Sequence, residues 1–259
     1  MAYRTVAGAP AGSTSLDIHA PKGACDAPVV VWVHGGGYHT GDKAGKGTAS
    51  KTTLFNRNGW IFVSVNYRLT TAGDPDSAHF PDHYEDVAAA VAWVKANIGR
   101  YGGDQSRLAL LGHSAGADIV SNVVDQSRYL HAVGLPVSSI RCAGPLDTEG
   151  FDKPASHDPD AAMWESALGN EPDYLTTTSA SRFISGSHRV PDTIGVYRGS
   201  ATRQAIERTY LTRVASTGAR TVAIDARSLT HEEVNTRIGA AGDTVMTPPL
   251  VAFLTTCFR

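Results

Sequence analysis

Short apolar runs alternate along the chain with segments whose apolar residues recur at helical spacing, a pattern that predicts a mainly parallel sheet with helices on both faces. Val29–Val33 is apolar throughout and mostly β-branched, as a strand buried on both faces should be, and Trp60–Val65 repeats that signature. Leu108–Leu111, Ser139–Ala143, Thr193–Tyr197 and Thr221–Ile224 are predicted as the strands that follow. Tyr3–Val6 and Ser15–Ile18 alternate only in part and suit an antiparallel hairpin at the sheet edge. Helices are predicted over Asp82–Ile98, where Val87, Val91, Val94 and Ile98 share one stripe, and over Ala115–Val124, Gln204–Ala215 and near Pro249–Cys257. From residue 148 to residue 190 the periodicity fails, apart from an amphipathic piece at Ala161–Leu168. That stretch is rich in Asp, Ser, Pro and His and is expected to be an insertion over the site, a small lid or pocket wall.

Composition narrows the function classes without choosing one. A length of 259 residues suits one large α/β domain over 1–259, and no stretch reads as a linker. A net charge of −2 supplies no electrostatic attraction for nucleic acid or an anionic membrane surface, so neither is expected as a partner. Met1 to Ala11 lacks a basic n-region and an apolar h-region, and no apolar run has the length of a membrane span. Cys25, Cys142 and Cys257 are scattered and odd in number, which reads as reduced thiols in a cytoplasmic protein.

Chemistry is concentrated in two glycine-rich stretches, each directly after a predicted strand. Gly112-His113-Ser114-Ala115-Gly116 fits the G-x-S-x-G elbow, in which glycines let a strand turn sharply into a helix and expose the serine hydroxyl. Ser114 is the expected nucleophile, at a helix N-terminus whose dipole and free N–H groups favour developing negative charge. Ala115, the next residue, is expected to give the first oxyanion N–H donor. In His34-Gly35-Gly36-Gly37 the absence of side chains lets successive N–H groups turn toward a substrate, so Gly36 and Gly37 are expected as the remaining donors. A phosphate loop is the competing reading, but Lys43 and Lys46 do not stand in the Gly-Lys-Ser/Thr pattern it needs. His34 is expected to hydrogen-bond within its own loop.

A serine nucleophile requires a base near neutral pH. With such an elbow the chain order is Ser, acid, His, with the base after the last strand, and His231 is the histidine that lies that late. His113 adjoins Ser114 in sequence, but its side chain should point away from the serine's. His79 and His83 have i,i+4 spacing, yet Pro81 between them spoils the helix a metal pair would need, and no metal site is expected.

These residues resemble the α/β-hydrolase superfamily, especially the small carboxylesterase and feruloyl-esterase-like enzymes near the hormone-sensitive lipase group. The similarity runs through Val31-Trp32-Val33-His34-Gly35-Gly36-Gly37-Tyr38, Gly41-Asp42-Lys43, Val65-Asn66-Tyr67-Arg68-Leu69, Phe80-Pro81, Glu85-Asp86-Val87, Ala92-Trp93-Val94, Tyr101-Gly102-Gly103-Asp104 and the serine elbow. It is close over roughly residues 15 to 125 and holds beyond that only in outline. The resemblance implies a doubly wound, mostly parallel sheet, a Ser–His–acid triad and hydrolysis of a small-molecule carboxylic ester without a cofactor.

The acid departs from the family pattern. Many relatives carry Gly-x-x-Asp after the strand before the last, and here Tyr197-Arg198-Gly199-Ser200-Ala201-Thr202 has threonine at that place. Pancreatic lipase and its relatives set the acid one strand earlier in a Gly-Leu-Asp context, which Gly144-Pro145-Leu146-Asp147 resembles. Asp147 is therefore the expected acid, with Asp225 second and Glu149 third. Two other readings stay open: an aryl formamidase or amidase with the same elbow, and a non-catalytic ligand-binding protein on a hydrolase scaffold.

Overall fold

The computed structural model describes residues 1–156, 161–186 and 189–259, so six positions of the predicted 148–190 insertion lie outside the described residues. Seven strands are formed: β1 (Leu16–His19), β2 (Ala27–Val33), β3 (Ile61–Val65), β4 (Gly103–His113), β5 (Cys142–Leu146), β6 (Asp192–Tyr197) and β7 (Thr221–Asp225). They pair in the order β1-β3-β2-β4-β5-β6-β7, with β1 antiparallel to β3 and every other pair parallel.

Side-chain alternation along the central strands divides the interior in two. Val29, Val31 and Val33 of β2, Ile61, Val63 and Val65 of β3, and Leu108 and Leu110 of β4 all point into one core. Val30, Trp32, Phe62, Ala109 and Leu111, the residues between them, point into the other. A strand clothed on both faces has no polar positions to spare, which is why these runs read as unbroken apolar sequence.

Ten α-helices cover the sheet: α1 (Thr48–Arg57), α2 (Asp82–Asn97), α3 (Ala115–Asp125), α4 (Ser127–Ala132), α5 (Lys153–Ser156), α6 (Ala161–Leu168), α7 (Tyr174–Thr177), α8 (Ala201–Ser216), α9 (His231–Thr236) and α10 (Thr247–Cys257), counted among the described residues. The first face is packed by α2 through Val87, Val91 and Val94, by α3 through Ile119, Val120 and Val123, and by Trp164 and Leu168 of α6. The second is packed by Phe55 of α1, Val234 of α9 and Leu250, Phe253 and Leu254 of α10. A third cluster joins α8, through Ile206, Tyr210 and Leu211, to Phe151, Ala180 and Val190 of the insertion. The doubly wound architecture is the one expected. Among the described residues, no helix is long and apolar enough to cross a membrane.

Four expectations need correction. Tyr3–Val6 forms no strand, and the expected edge hairpin is reduced to a single bridge between Ala2 and Ser15. What holds that end is a backbone N–H of Tyr3 to Thr14 and the Tyr3 hydroxyl donating to Asn66 O at 2.8 Å. β5 starts at Cys142 because Val137–Ser139 closes a 3₁₀ turn first. α1 lies where no helix was predicted, since its two buried side chains are Phe55 and a lysine, Lys51, which masks the stripe. Cys142 and Cys257 form a disulfide that ties the start of β5 to the end of α10, leaving Cys25 as the free thiol.

Candidate active site

At the junction of β4 and α3, Ser114 takes φ 58° and ψ −123°, a conformation held by crowding on three sides. A Cβ on Gly112 would lie 2.4 Å from Gly116 O, and one on Gly116 would lie 2.3 Å from Val33 O. The two glycines are thus required because strand, helix and neighbouring strand meet at backbone contact. Ser114 N donates to Leu146 O at 3.2 Å, which locks the turn to the end of β5. Its carbonyl accepts from Ala117 and Asp118, while the Ala115 N–H lies in the first turn, where no helical acceptor precedes it.

The glycine loop after β2 passes directly beside this turn. A Cβ on Gly35 would lie 2.9 Å from the Ser114 Cβ. Gly36 and Gly37 have φ of 114° and 61°, and a Cβ on Gly36 would lie 2.1 Å from Thr40 O. The Gly36 carbonyl accepts from the backbone N–H groups of His39 and Thr40, and among the described residues neither the Gly36 nor the Gly37 N–H is engaged within the chain. His34 behaves as expected: its Nδ1 lies 2.7 Å from Gly35 O and its ring stacks on Tyr67. Burial lowers its pKa.

Tyr38, next along the loop and also at positive φ, is fully buried and donates its hydroxyl to Asp118 Oδ2 on α3. Tyr84 donates to the same oxygen at 2.9 Å, and Lys153 Nζ donates to Asp118 Oδ1 at 2.8 Å. Lys153 also donates to Thr178 O at 2.6 Å and Gly150 O at 3.2 Å, so its ammonium is buried among oxygens. Burial pulls its pKa down, against the attraction of Asp118. One carboxylate thereby joins the glycine loop, α2, α3 and the insertion.

His231 opens α9 and is set by a capping box, with Glu233 N donating to Thr230 Oγ1 at 3.3 Å and Thr230 N to Glu233 Oε2 at 2.9 Å. Buried Lys51 anchors the same short helix by donating to Asn235 O and Oδ1 at 2.8 and 2.7 Å, with its Nζ over the Trp32 ring. Burial lowers that ammonium to about 7. The His113 ring packs against the His231 ring at 4.5 Å, and its Nε2 lies 2.9 Å from His231 O, which fixes the proton on Nε2. Burial, and secondarily the facing His231, push His113 down to about 3, so it is neutral.

Nδ1 of His231 lies 2.6 Å from Oδ2 of Asp147, which is 1% exposed and sits at φ 65° just after β5. Two guanidiniums share this carboxylate. Arg198 Nε donates to Oδ2 at 2.5 Å, and Arg203 Nε donates to Oδ1 at 3.0 Å. Burial alone would raise the Asp147 pKa, but the His231 hydrogen bond and the charge of Arg203 outweigh it and hold the carboxyl well below the usual range. Glu149 pairs with Arg203, and Asp225 is exposed and pairs with Arg227 at 2.5 Å, so neither of the other acids considered bonds His231.

Ser114 and His231 both line two adjoining cavities. One, of about 420 Å³, is bounded by Asp147, Arg198 and Trp164; the other, of about 530 Å³, runs along the glycine loop past Asp42 and Lys46. Met163 of α6 lines both, and a Cβ on Gly37 would lie 2.9 Å from its sulfur. The structure thus brings Ser114, Ala115, Gly36, Gly37, His231 and Asp147 to one place. His113, Asp147 and His231 also bring ligand-type atoms within 4.8 Å of one another, but the hydrogen bonds above occupy His113 Nε2 and His231 Nδ1. Arg198, Arg203, Met163 and the Asp118–Lys153 pair carry no motif and were not anticipated.

Similarity to known proteins is uneven along the chain. The BD-FAE family model matches residues 16–127. Among curated relatives, Gut esterase 1 of Caenorhabditis briggsae is 39% identical over 108 residues, 40% of this chain and 19% of that protein. The Probable carboxylic ester hydrolase LipM of Mycobacterium tuberculosis is 41% identical over 95 residues, 37% of this chain and 21% of that protein. The chain thus spans about a fifth of the length of these relatives. Similarity of fold extends further. An esterase of Pyrobaculum calidifontis superposes with a TM-score of 0.73 at 20% identity, covering 94% of this chain and 82% of that one. A truncated carbohydrate esterase from gut microbiota gives 0.80 at 17% identity, covering 99% and 94%.

Proposed function

We propose that this chain, which has the α/β-hydrolase fold, is a serine esterase of the carboxylesterase type acting on small-molecule esters through an acyl-enzyme. The observation that carries the reading is the 2.6 Å bond between Asp147 and Nδ1 of His231, beside a serine on a strained elbow that lines the same cavity. With Nδ1–H donating to Asp147, Nε2 is the atom left to take the Ser114 proton as the hydroxyl attacks the ester carbonyl. The N–H groups of Gly36, Gly37 and Ala115 face the oxyanion, and one such donor is worth about 10²–10³-fold in turnover. The alcohol departs with the proton held by His231, and water then releases the acyl group by the same steps. Within one α/β unit, the described part of the insertion forms a pocket wall, with Met163 and Trp164 lining the cavity beside Ser114.

The Cys142–Cys257 disulfide argues against the expected cytoplasmic location, since such bonds belong to oxidising compartments. Labelling with a fluorophosphonate probe tests the nucleophile: wild type labels and Ser114→Ala does not. Turnover of short 4-nitrophenyl esters but not of N-formylkynurenine separates esterase from formamidase. A folded wild-type chain that neither labels nor turns over any of these substrates overturns the esterase reading and leaves the binding-protein alternative.

A further inference from the structure

The two arginines beside Asp147 are used unequally. Arg203 commits Nε to Asp147 Oδ1, Nη2 to the Asp147 carbonyl at 3.1 Å and Nη1 to Glu149, so its donors are engaged on every side. Arg198 commits only Nε, to Asp147 Oδ2. Its Nη2 lies 3.4 Å from His231 Nδ1, but that nitrogen carries the proton bonded to Asp147 and cannot accept another. Among the described residues Nη1 of Arg198 has no acceptor. Arg198, whose side chain is 16% exposed, lines the 420 Å³ cavity, and the distal edge of its guanidinium keeps donors to spare.

Charge explains why those donors are not simply surplus. Asp147 and Glu149 balance the two guanidiniums, so the cavity carries no net negative charge to repel an anion, and any attraction must come from the local field of the Arg198 edge. A planar fork with two open N–H positions matches a carboxylate in geometry as well as charge. We infer that Arg198 is a specificity residue that binds a carboxylate carried by the ester substrate, close to the bond that Ser114 attacks. This rests on the esterase reading and adds the substrate class to it. The carboxylate can belong to the acyl part or to the alcohol part, and the recognising chemistry is the same.

Two matched pairs of esters test the inference with the whole chain. The mono-4-nitrophenyl ester of adipic acid is compared with 4-nitrophenyl 6-oxoheptanoate, in which a methyl ketone replaces the carboxylate. On the alcohol side, 3-carboxyphenyl acetate is compared with 3-acetylphenyl acetate. In one pair the anionic member is expected to have a kcat/KM about ten- to hundred-fold higher, the range a charge-assisted hydrogen bond supports, and the responding pair identifies the part that carries the charge. Arg198→Gln brings that ratio near one, and Arg198→Lys holds an intermediate value. Rising salt lowers the wild-type ratio, a readout available even where a variant fails to fold. Wild-type ratios near one in both pairs, or a preference that survives Arg198→Gln, overturn the inference while the esterase reading stands. No turnover of any of the four esters overturns the esterase reading as well.

Discussion

Asp147 and His231 are 84 residues apart in the chain and 2.6 Å apart in space, each presented just beyond a parallel strand. The carboxylate is buried and the imidazole half-exposed, so a fixed anion orients a ring that reaches the cavity. Asp147→Asn keeps the shape but favours the wrong tautomer, and turnover is expected to fall by the order of 10⁴-fold. Asp225→Asn, at an exposed position paired with Arg227, is expected to stay within a few-fold of wild type. Steady-state kinetics on both, with circular dichroism as the folding control, distinguishes the two; a large loss in Asp225→Asn alone removes Asp147 from the mechanism.

The glycine loop predicts a separate defect. Alanine at Gly36 must adopt φ 114° and meet Thr40 O at 2.1 Å, so the loop backbone has to move. Gly36→Ala is expected to lower kcat by at least about 10²-fold with a smaller change in KM, because the donor acts on the oxyanion. A KM effect without a kcat effect contradicts that role.

Acid sensitivity follows from the depressed Asp147 carboxyl. Because its pKa is lower folded than unfolded, the unfolded chain binds the proton more readily and stability rises with pH across that window. The contribution is complete above the unfolded value of about 4 and is lost as pH falls below it. Urea midpoints measured between pH 6 and pH 3 should fall more steeply for wild type than for Asp147→Asn.

The buried pair beneath the glycine loop predicts a cost in stability. Lys153→Met leaves Asp118 buried without its counter-charge, and about 3–5 kcal/mol of unfolding free energy should be lost. Chemical denaturation measures this directly, and a loss below about 1 kcal/mol is incompatible with a fully desolvated pair.

Reduction of the Cys142–Cys257 disulfide opens a loop of 115 residues and should lower stability by about 2–4 kcal/mol. Thermal melts with and without reductant, repeated on Cys257→Ser, separate this from effects on Cys25. A Cys257→Ser protein indifferent to reductant, set beside a sensitive wild type, is the expected pattern.

Much of the fold was legible because burial on both faces leaves a strand no polar positions, as in Val29–Val33, and because the crowding at Gly112 and Gly116 allows no other residue. That Ser114 and His231 line one cavity was legible on two different grounds, the glycines around the first and the place of the second after the last strand. What escaped depends on partners distant in sequence. Arg198 and Arg203 look like solvated charges until β5 brings Asp147 opposite them, and Lys51 reads as surface until Asn235 closes over it. Cys142 and Cys257 look unrelated until α10 returns to the foot of β5. Tyr3–Val6 failed in the opposite sense, since a buried Tyr3 imitates one half of an alternating strand.

The backbone contacts at the serine turn divide what can evolve here from what cannot. With Gly112 against Gly116, Gly116 against Val33 and Gly35 against Ser114, the serine turn is packed on itself and on the adjoining 33–35 segment. A side chain added at Gly112, Gly116 or Gly35 would collide with a backbone oxygen, of Gly116, Val33 and His113 respectively. The opposite wall is a short helix, α6, whose Met163 meets the glycine loop through a flexible thioether. If the chain is the esterase proposed, exchanging side chains along α6 would change the substrate while leaving the reacting groups in place.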